Sequence, residues 1–145
     1  MGAGRGDYEF PVRIPGWFRV PGEEFAVSLE VIEKSEVSDV YDCVYNKGMV
    51  WVDTDRLCGS LTLRNWRPGD QYHRSGGSGE EKIKTLFQEF RIPLWERRHW
   101  PVLRDQRSIV WARRFGPSTR VAADSGTTRY LKIEEIGIGR NGDNV

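Results

Sequence analysis

Nine cations between positions 64 and 114 are the residues of this 145-residue chain best suited to do chemistry: Arg64, Arg67, Arg74, Lys82, Lys84, Arg97, Arg98, Arg113 and Arg114. Guanidinium forks match phosphate oxygens in pairs, and lysine ammonium groups meet them as compact point charges. Such contacts give a polyanion affinity and register rather than sequence readout. A-form RNA, with its wide minor groove and exposed backbone, is read largely by shape from surfaces of this kind. The overall net charge of +1 conceals the concentration. Residues 62–120 hold 13 Lys/Arg against 6 Asp/Glu, a net of +7, while residues 1–61 hold 6 against 11, a net of −5. Segregation of this sort points to an acidic partner or nucleic acid, although a basic run is also what a plain solvated face looks like.

Groups for acid–base or nucleophilic catalysis are harder to find. His73 with Asp70, and His99 with Glu96, each pair a base with an orienting carboxylate, but no nucleophile or metal set surrounds either. Ser75-Gly76-Gly77 resembles the start of a pyrophosphate-binding loop. It continues as Ser78-Gly79-Glu80, without the Asp-Ser such a loop carries, and no buried strand leads into it. It reads as loop. Asp53 and Asp55 bring too few oxygen ligands for a metal, and Thr54-Asp55-Arg56-Leu57 reads as a turn. Cys43 and Cys58 lack zinc spacing and make no secreted disulfide framework, so both are expected reduced and buried in a cytoplasmic protein. No apolar run approaches the roughly 20 residues that span a membrane.

The elements that must carry the cations are mostly strands. Alternation at Tyr8, Phe10, Val12 and Ile14, a short Trp17–Val20 run, and the clean pattern Phe25, Val27, Leu29, Val31 each predict a strand. Val40–Tyr45 and Met49–Val52 predict a hairpin around Asn46-Lys47-Gly48, and Leu61 with Leu63 open the next strand. Arg67-Pro68-Gly69-Asp70 fits a type II turn, with Pro68 presetting φ and Gly69 supplying its positive value. Gln71–Gly79 reads as a mobile loop. Ser78 then caps a helix whose apolar stripe is Ile83, Leu86, Phe87 and Phe90, with Glu80 and Glu81 in its first turn. Pro93 to Pro101 adds a short helix, Val102–Leu103 and Ile109–Trp111 a hairpin, and Arg120–Ala122 and Thr128–Glu134 closing strands. The result is an α+β fold: a mostly antiparallel, sandwich-like sheet with one amphipathic helix and a second short one. Residues 1–7 read as a flexible leader or the start of a cut inside a longer chain, 8–60 as a β-rich lead-in, 61–135 as the functional domain, and 136–145 as a disordered tail.

Tryptophans divide the same region. Trp17, Trp51 and Trp111 lie in strand-like runs and are expected in the core. Trp95 and Trp100 are expected to wedge the helix onto the sheet. Trp66 is open, either buried or stacked on a base.

In order and spacing, four pieces resemble the C-terminal region of tRNA(Ile)-lysidine synthetase: Leu63-x3-Arg67-Pro68-Gly69-Asp70; Lys82-Ile83-Lys84-x2-Phe87; Ile92-Pro93-x3-Arg97 with Trp100-Pro101-Val102-Leu103; and Ile109-Val110-Trp111. Ile14-Pro15-Gly16 and Val52-Asp53-Thr54-Asp55 resemble that family's lead-in. The resemblance implies a tRNA-binding module of an enzyme that joins lysine to the wobble cytidine of isoleucine tRNA. The ATP and Mg of that reaction would belong to an N-terminal ATP-pyrophosphatase domain that nothing here matches. It further implies contact with the acceptor-stem side of the tRNA, Arg67 and Asp70 shaping the turn, and Lys82, Lys84 and Arg97 facing RNA or bracing the fold. No cofactor or metal is expected in this piece. The alternative is a protein-interaction module docking through Trp66, Trp95 or Trp100.

Overall fold

Strands drawn from both ends of the chain build two antiparallel sheets, with a helix on the outer face of one of them. The computed structural model describes residues 7–36 and 49–138. Expectations for the strand at 40–45 with its turn, for Cys43, and for the last seven positions lie outside the described residues. In chain order the elements are β1 (Glu9–Val12), β2 (Gly16–Arg19), β3 (Phe25–Glu33), β4 (Met49–Asp53), β5 (Leu61–Asn65), β6 (Gln71–Tyr72), β7 (Glu81–Lys82), α1 (Ile83–Glu89), α2 (Leu94–Arg97), β8 (Pro101–Arg104), β9 (Ile109–Ala112), β10 (Gly116–Pro117) and β11 (Arg129–Gly137). One sheet runs β1-β5-β8-β9-β10, the other β2-β3-β11-β4, and β6 with β7 form a small hairpin. Each large sheet therefore takes strands from both sides of residue 60.

Side-chain alternation explains the layering. Leu61 and Leu63 of β5, Leu103 of β8, and Val110 and Trp111 of β9 face Phe25, Val27, Leu29, Val52, Leu131 and Ile133 of the second sheet in a shared core. Val102, Ile109 and Ala112 point the other way, into a second core with Ile83, Leu86, Phe87, Ile92, Trp100 and Phe115. Val110 and Trp111 share a face because the β8–β9 register slips between Leu103 and Arg104, a bulge that inserts one residue into β9. Apolar residues on both faces hide the two-residue period of β8 and β9, as expected for strands covered on both sides.

Several expectations are corrected. Gln71–Gly79 is no free loop: β6 pairs with β7, and its tip is pinned by Ser75 N–H to Pro117 O at 2.8 Å and Thr119 N–H to His73 O at 2.8 Å. The ladder takes Glu81 and Lys82, so the helix starts at Ile83 with Lys82 at its N-cap rather than Ser78. Phe90 lies past the buried stripe and is exposed. Trp17 is exposed on β2, and Cys58 is a half-buried free thiol beyond the 3-10 turn Thr54–Arg56. Only Ala122 of 120–122 bridges, to Val52, because the segment is a series of turns. At the other end β11 pairs with β3 through Ile136 and Gly137, beyond the point where the tail was expected.

Those turns are held by one carboxylate. Asp105, whose side chain is fully buried, accepts from the N–H groups of Cys58 (2.8 Å), Arg107 (2.8 Å) and Ser108 (3.0 Å), and from the Arg120 guanidinium at 2.9 Å. Burial alone would raise its pKa. The N–H groups of Ser108, Cys58 and Arg107, with Arg120, outweigh that and hold it below the usual carboxylate value. A folded pKa below the unfolded one gives stability that is complete above the unfolded value and disappears as pH falls through the folded one. Urea unfolding should therefore show stability declining from about pH 4 downward, and Asp105→Asn should flatten that decline. An unchanged acid limb would remove Asp105 from the account.

Candidate nucleic-acid interface

Rings on the α1 side of the five-stranded sheet form one contact cluster. Phe87 meets Trp66 edge-on at 4.9 Å, Trp100 at 5.3 Å and Phe115 at 5.9 Å, and Phe115 meets Phe90 at 5.0 Å. Arginines lie against it: Arg74 over Phe90 (5.6 Å), Arg97 over Phe87 (5.3 Å), and Arg113 and Arg114 over Trp100 (4.8 and 5.9 Å). A guanidinium resting on a ring keeps its charge and loses rotamer freedom before any ligand arrives, which lowers the ordering cost of binding. Four of the nine candidate cations, dispersed through the sequence, thus lie against one aromatic cluster.

Partners divide them into two groups. Arg64 is buried on β5 and grips both oxygens of Asp70 at 2.9 and 3.0 Å. Asp70 also accepts from the Arg67 N–H at 2.7 Å, closing the Pro68-Gly69 turn, in which Gly69 has φ +95° and Asp70 N–H reaches Arg67 O at 3.0 Å. Arg64 is committed to the fold and has no free face. Arg113 is held the same way, bidentate to Glu135 at 2.9 and 2.8 Å and stacked 4.0 Å over Phe25. Arg67 reaches Glu9 at 2.9 Å across an exposed pair, and Arg74 reaches Glu81 at 2.9 Å. Exposed pairs of the first kind contribute little, about 0–1 kcal/mol, and exchange partners readily.

Lys82, Lys84, Arg98 and Arg114 are exposed and make no ion pair among the described residues. Arg97 donates to Ile92 O at 2.8 Å and also meets no carboxylate there. Between residues 61 and 135, Arg91 at the end of α1 and Arg104 and Arg107 at the β8–β9 connection, none of them among the nine candidates, also meet no carboxylate among the described residues. The signal for Arg91 was present in the pattern: it follows the last residue of an amphipathic stripe, the place where a helix needs a left-handed residue.

Catalytic alternatives lose their geometry. His99 faces Glu23 at 3.0 Å rather than Glu96, and His73 Nε2 meets Gly77 O at 3.1 Å rather than Asp70. No group of three or more potential metal ligands occurs among the described residues. Ser75-Gly76-Gly77 is the hairpin tip described above, with Gly77 N–H bonded to Arg74 O at 2.9 Å. No helix among the described residues is long and apolar enough to cross a membrane. The three tryptophans proposed for protein docking do not form one surface. Trp100 is fully buried, Trp66 is half-buried against Phe87, and Trp95, expected inside, is 79% exposed beside Leu94. Leu94 and Trp95 both stand on the outward side of the four-residue α2, which buries none of its residues.

A family model described as the TilS substrate C-terminal domain matches residues 61–134. A tRNA(Ile)-lysidine synthase of Solibacter usitatus is 52% identical over 134 residues, which are 92% of this chain and 30% of that protein. A tRNA(Ile)-lysidine synthase of Symbiobacterium thermophilum is 27% identical over 86% of this chain and 25% of its own length. The chain thus spans less than a third of either curated relative. A crystal structure of a TilS C-terminal domain superposes with a TM-score of 0.76 at 25% identity, covering 92% of this chain and 98% of that one.

Proposed function

The chain belongs to the family of TilS substrate C-terminal domains, and from that premise we propose that it is the tRNA-holding part of a tRNA(Ile)-lysidine synthase. In this reading the polypeptide grips isoleucine tRNA, on its acceptor-stem side, while an N-terminal domain using ATP and Mg joins lysine to the wobble cytidine. The binding surface lies within residues 61–135, and the second sheet, built from β2, β3 and β4 of the lead-in together with β11, stiffens it from behind. Lys82, Lys84, Arg97, Arg98 and Arg114 meet phosphates directly. Arg67 and Arg74 join them by releasing exposed or half-exposed acid partners, whereas Arg64 and Arg113 act from within, fixing the turn and the aromatic platform.

The observation that carries the reading is the set of exposed cations without a carboxylate partner among the described residues, with Arg97 and Arg114 resting on one ring cluster, in a segment with a net charge of +7. A fold needs its arginines paired or solvated. It does not need four of them set against one ring cluster. The test is competition. Added in excess to an intact tRNA(Ile)-lysidine synthase, the purified chain should raise the apparent KM for tRNA, leave that for ATP unchanged, and form no lysidine by itself. Turnover by the chain alone would overturn the division of labour, and absence of competition would overturn the tRNA reading.

A further inference from the structure

We propose that the pocket between β4 and the turns at 122–125 receives one unpaired nucleobase from the single-stranded end of the bound tRNA. The inference rests on the tRNA reading above and adds a contact with a base to the contacts that the cations make with phosphate. The pocket has a volume of about 370 Å³, at the small end of ligand-holding cavities, and its wall is mostly apolar.

The pocket exists because a segment running beside the sheet edge leaves it part-way along. β4 is an outer strand of its sheet, and residues 121–123 lie against it. Asp53 N–H bonds Val121 O at 2.8 Å, Val52 bridges Ala122, and Ala123 N–H bonds Trp51 O at 3.2 Å. Beyond Trp51 the segment turns on itself, through Gly126 N–H to Asp124 Oδ1 at 2.9 Å and Thr127 N–H to Asp124 O at 3.1 Å. Ala122 and Ala123 bring only methyl groups to the space left beside β4. Tyr130, edge-on to Trp51 at 5.6 Å, and the bonded pair Ser75 and Pro117 complete the wall.

The chemistry of the wall selects a base. The Trp51 indole N–H is buried and meets no acceptor among the described residues, so a purely apolar occupant would leave it unpaired. A nucleobase joins a flat apolar face to acceptors and amines on its edges. At the rim, the half-exposed Asp124 carboxylate accepts from an exocyclic amine and repels a phosphate. Charge therefore sorts the nucleotide, with its base inward and its backbone outward. Cations flank the pocket for that backbone. Arg56 runs along the 122–124 wall, donating to Ala122 O at 2.9 Å and to Asp124 at 2.7 Å. On the opposite wall Ser75 directly follows Arg74, one of the arginines set against the ring cluster, so the pocket adjoins the cationic face.

Two RNAs test the proposal: an acceptor-stem hairpin with a single-stranded 3′ overhang, and the same hairpin with an abasic overhang, which keeps every phosphate. The purified chain should bind the first about tenfold more tightly, as expected for one stacked base, and both with the same dependence of log Kd on log[salt]. Ala123→Leu, which fills the pocket, should abolish that difference while leaving the salt dependence and the affinity for the abasic RNA as they were. Trp51→Phe, which keeps a ring and removes the N–H, should reduce the difference several-fold, and it decides alone should the leucine variant not fold. A parent chain that binds the two RNAs equally would overturn the pocket and leave the tRNA reading standing. A folded variant that keeps the full difference, or that loses affinity for both RNAs alike, would overturn it too. A parent chain that binds neither RNA would remove both the pocket and the reading beneath it.

Discussion

Replacing Asp70 by alanine should lower the unfolding free energy by about 3–5 kcal/mol, the cost of leaving one member of a buried ion pair without its counter-charge. Asp70 is only 13% exposed and its partner Arg64 only 7%. The substitution removes both oxygens from the Arg64 fork and the acceptor of the Arg67 N–H together. Its backbone carbonyl also receives the Ile83 N–H at 3.0 Å, which ties the turn to the first residue of α1. Loosening the turn should therefore displace the helix that carries Lys84. Arg64→Ala should cost a similar amount, because it leaves Asp70 buried without a cation. Chemical denaturation by urea measures both. A loss under about 1 kcal/mol, the level of a surface pair, would mean that the Arg64–Asp70 contact is solvent-screened and that Arg64 is available to ligand after all.

The opposite signature is expected at the free lysines. Lys82→Glu with Lys84→Glu should reduce tRNA affinity by well over tenfold while leaving Tm within a degree or two, since exposed substitutions without partners stay within about 0.5 kcal/mol. The loss should be uniform across RNA sequences and should lower the salt slope by about 1 per lysine, as for contacts to phosphate rather than to base edges. Equal affinity in the double variant would move the binding surface away from α1. A parallel loss of stability would instead make these lysines part of the fold. The two experiments separate cations that build the domain from cations that would face a ligand.

Much of this division was not legible in the chain. The α+β class, the strands β1, β3, β5 and β11, the Pro68-Gly69 turn and the Ile83–Leu86–Phe87 stripe could all be read from periodicity and turn chemistry. All nine candidate cations were named there, but their roles could not be assigned. Whether an arginine is free depends on carboxylates far away in sequence: Glu135 for Arg113, 22 positions on, and Glu9 for Arg67, 58 positions back. Arg64 and Asp70 are only six apart and could have been paired by inspection, had the strand-then-turn geometry been followed to its consequence. The Gln71–Gly79 stretch looked mobile because glycine and serine dominate it. Its order comes instead from backbone bonds to Pro117 and His73–Thr119 contacts, which leave no trace in side-chain patterning. Trp95 and Trp100 lie five positions apart among the same arginines, and composition alone does not say which ring enters the core; in the fold Trp100 is fully buried and Trp95 is exposed.

A titration of isoleucine tRNA with the purified chain across a range of salt concentrations tests the central claim most directly. With five to seven cations neutralising phosphates, log Kobs should fall linearly with log[salt], with a slope on the order of −5 to −6. A slope near zero, or no measurable binding at low salt, would contradict the assignment of this aromatic-backed cationic face to tRNA.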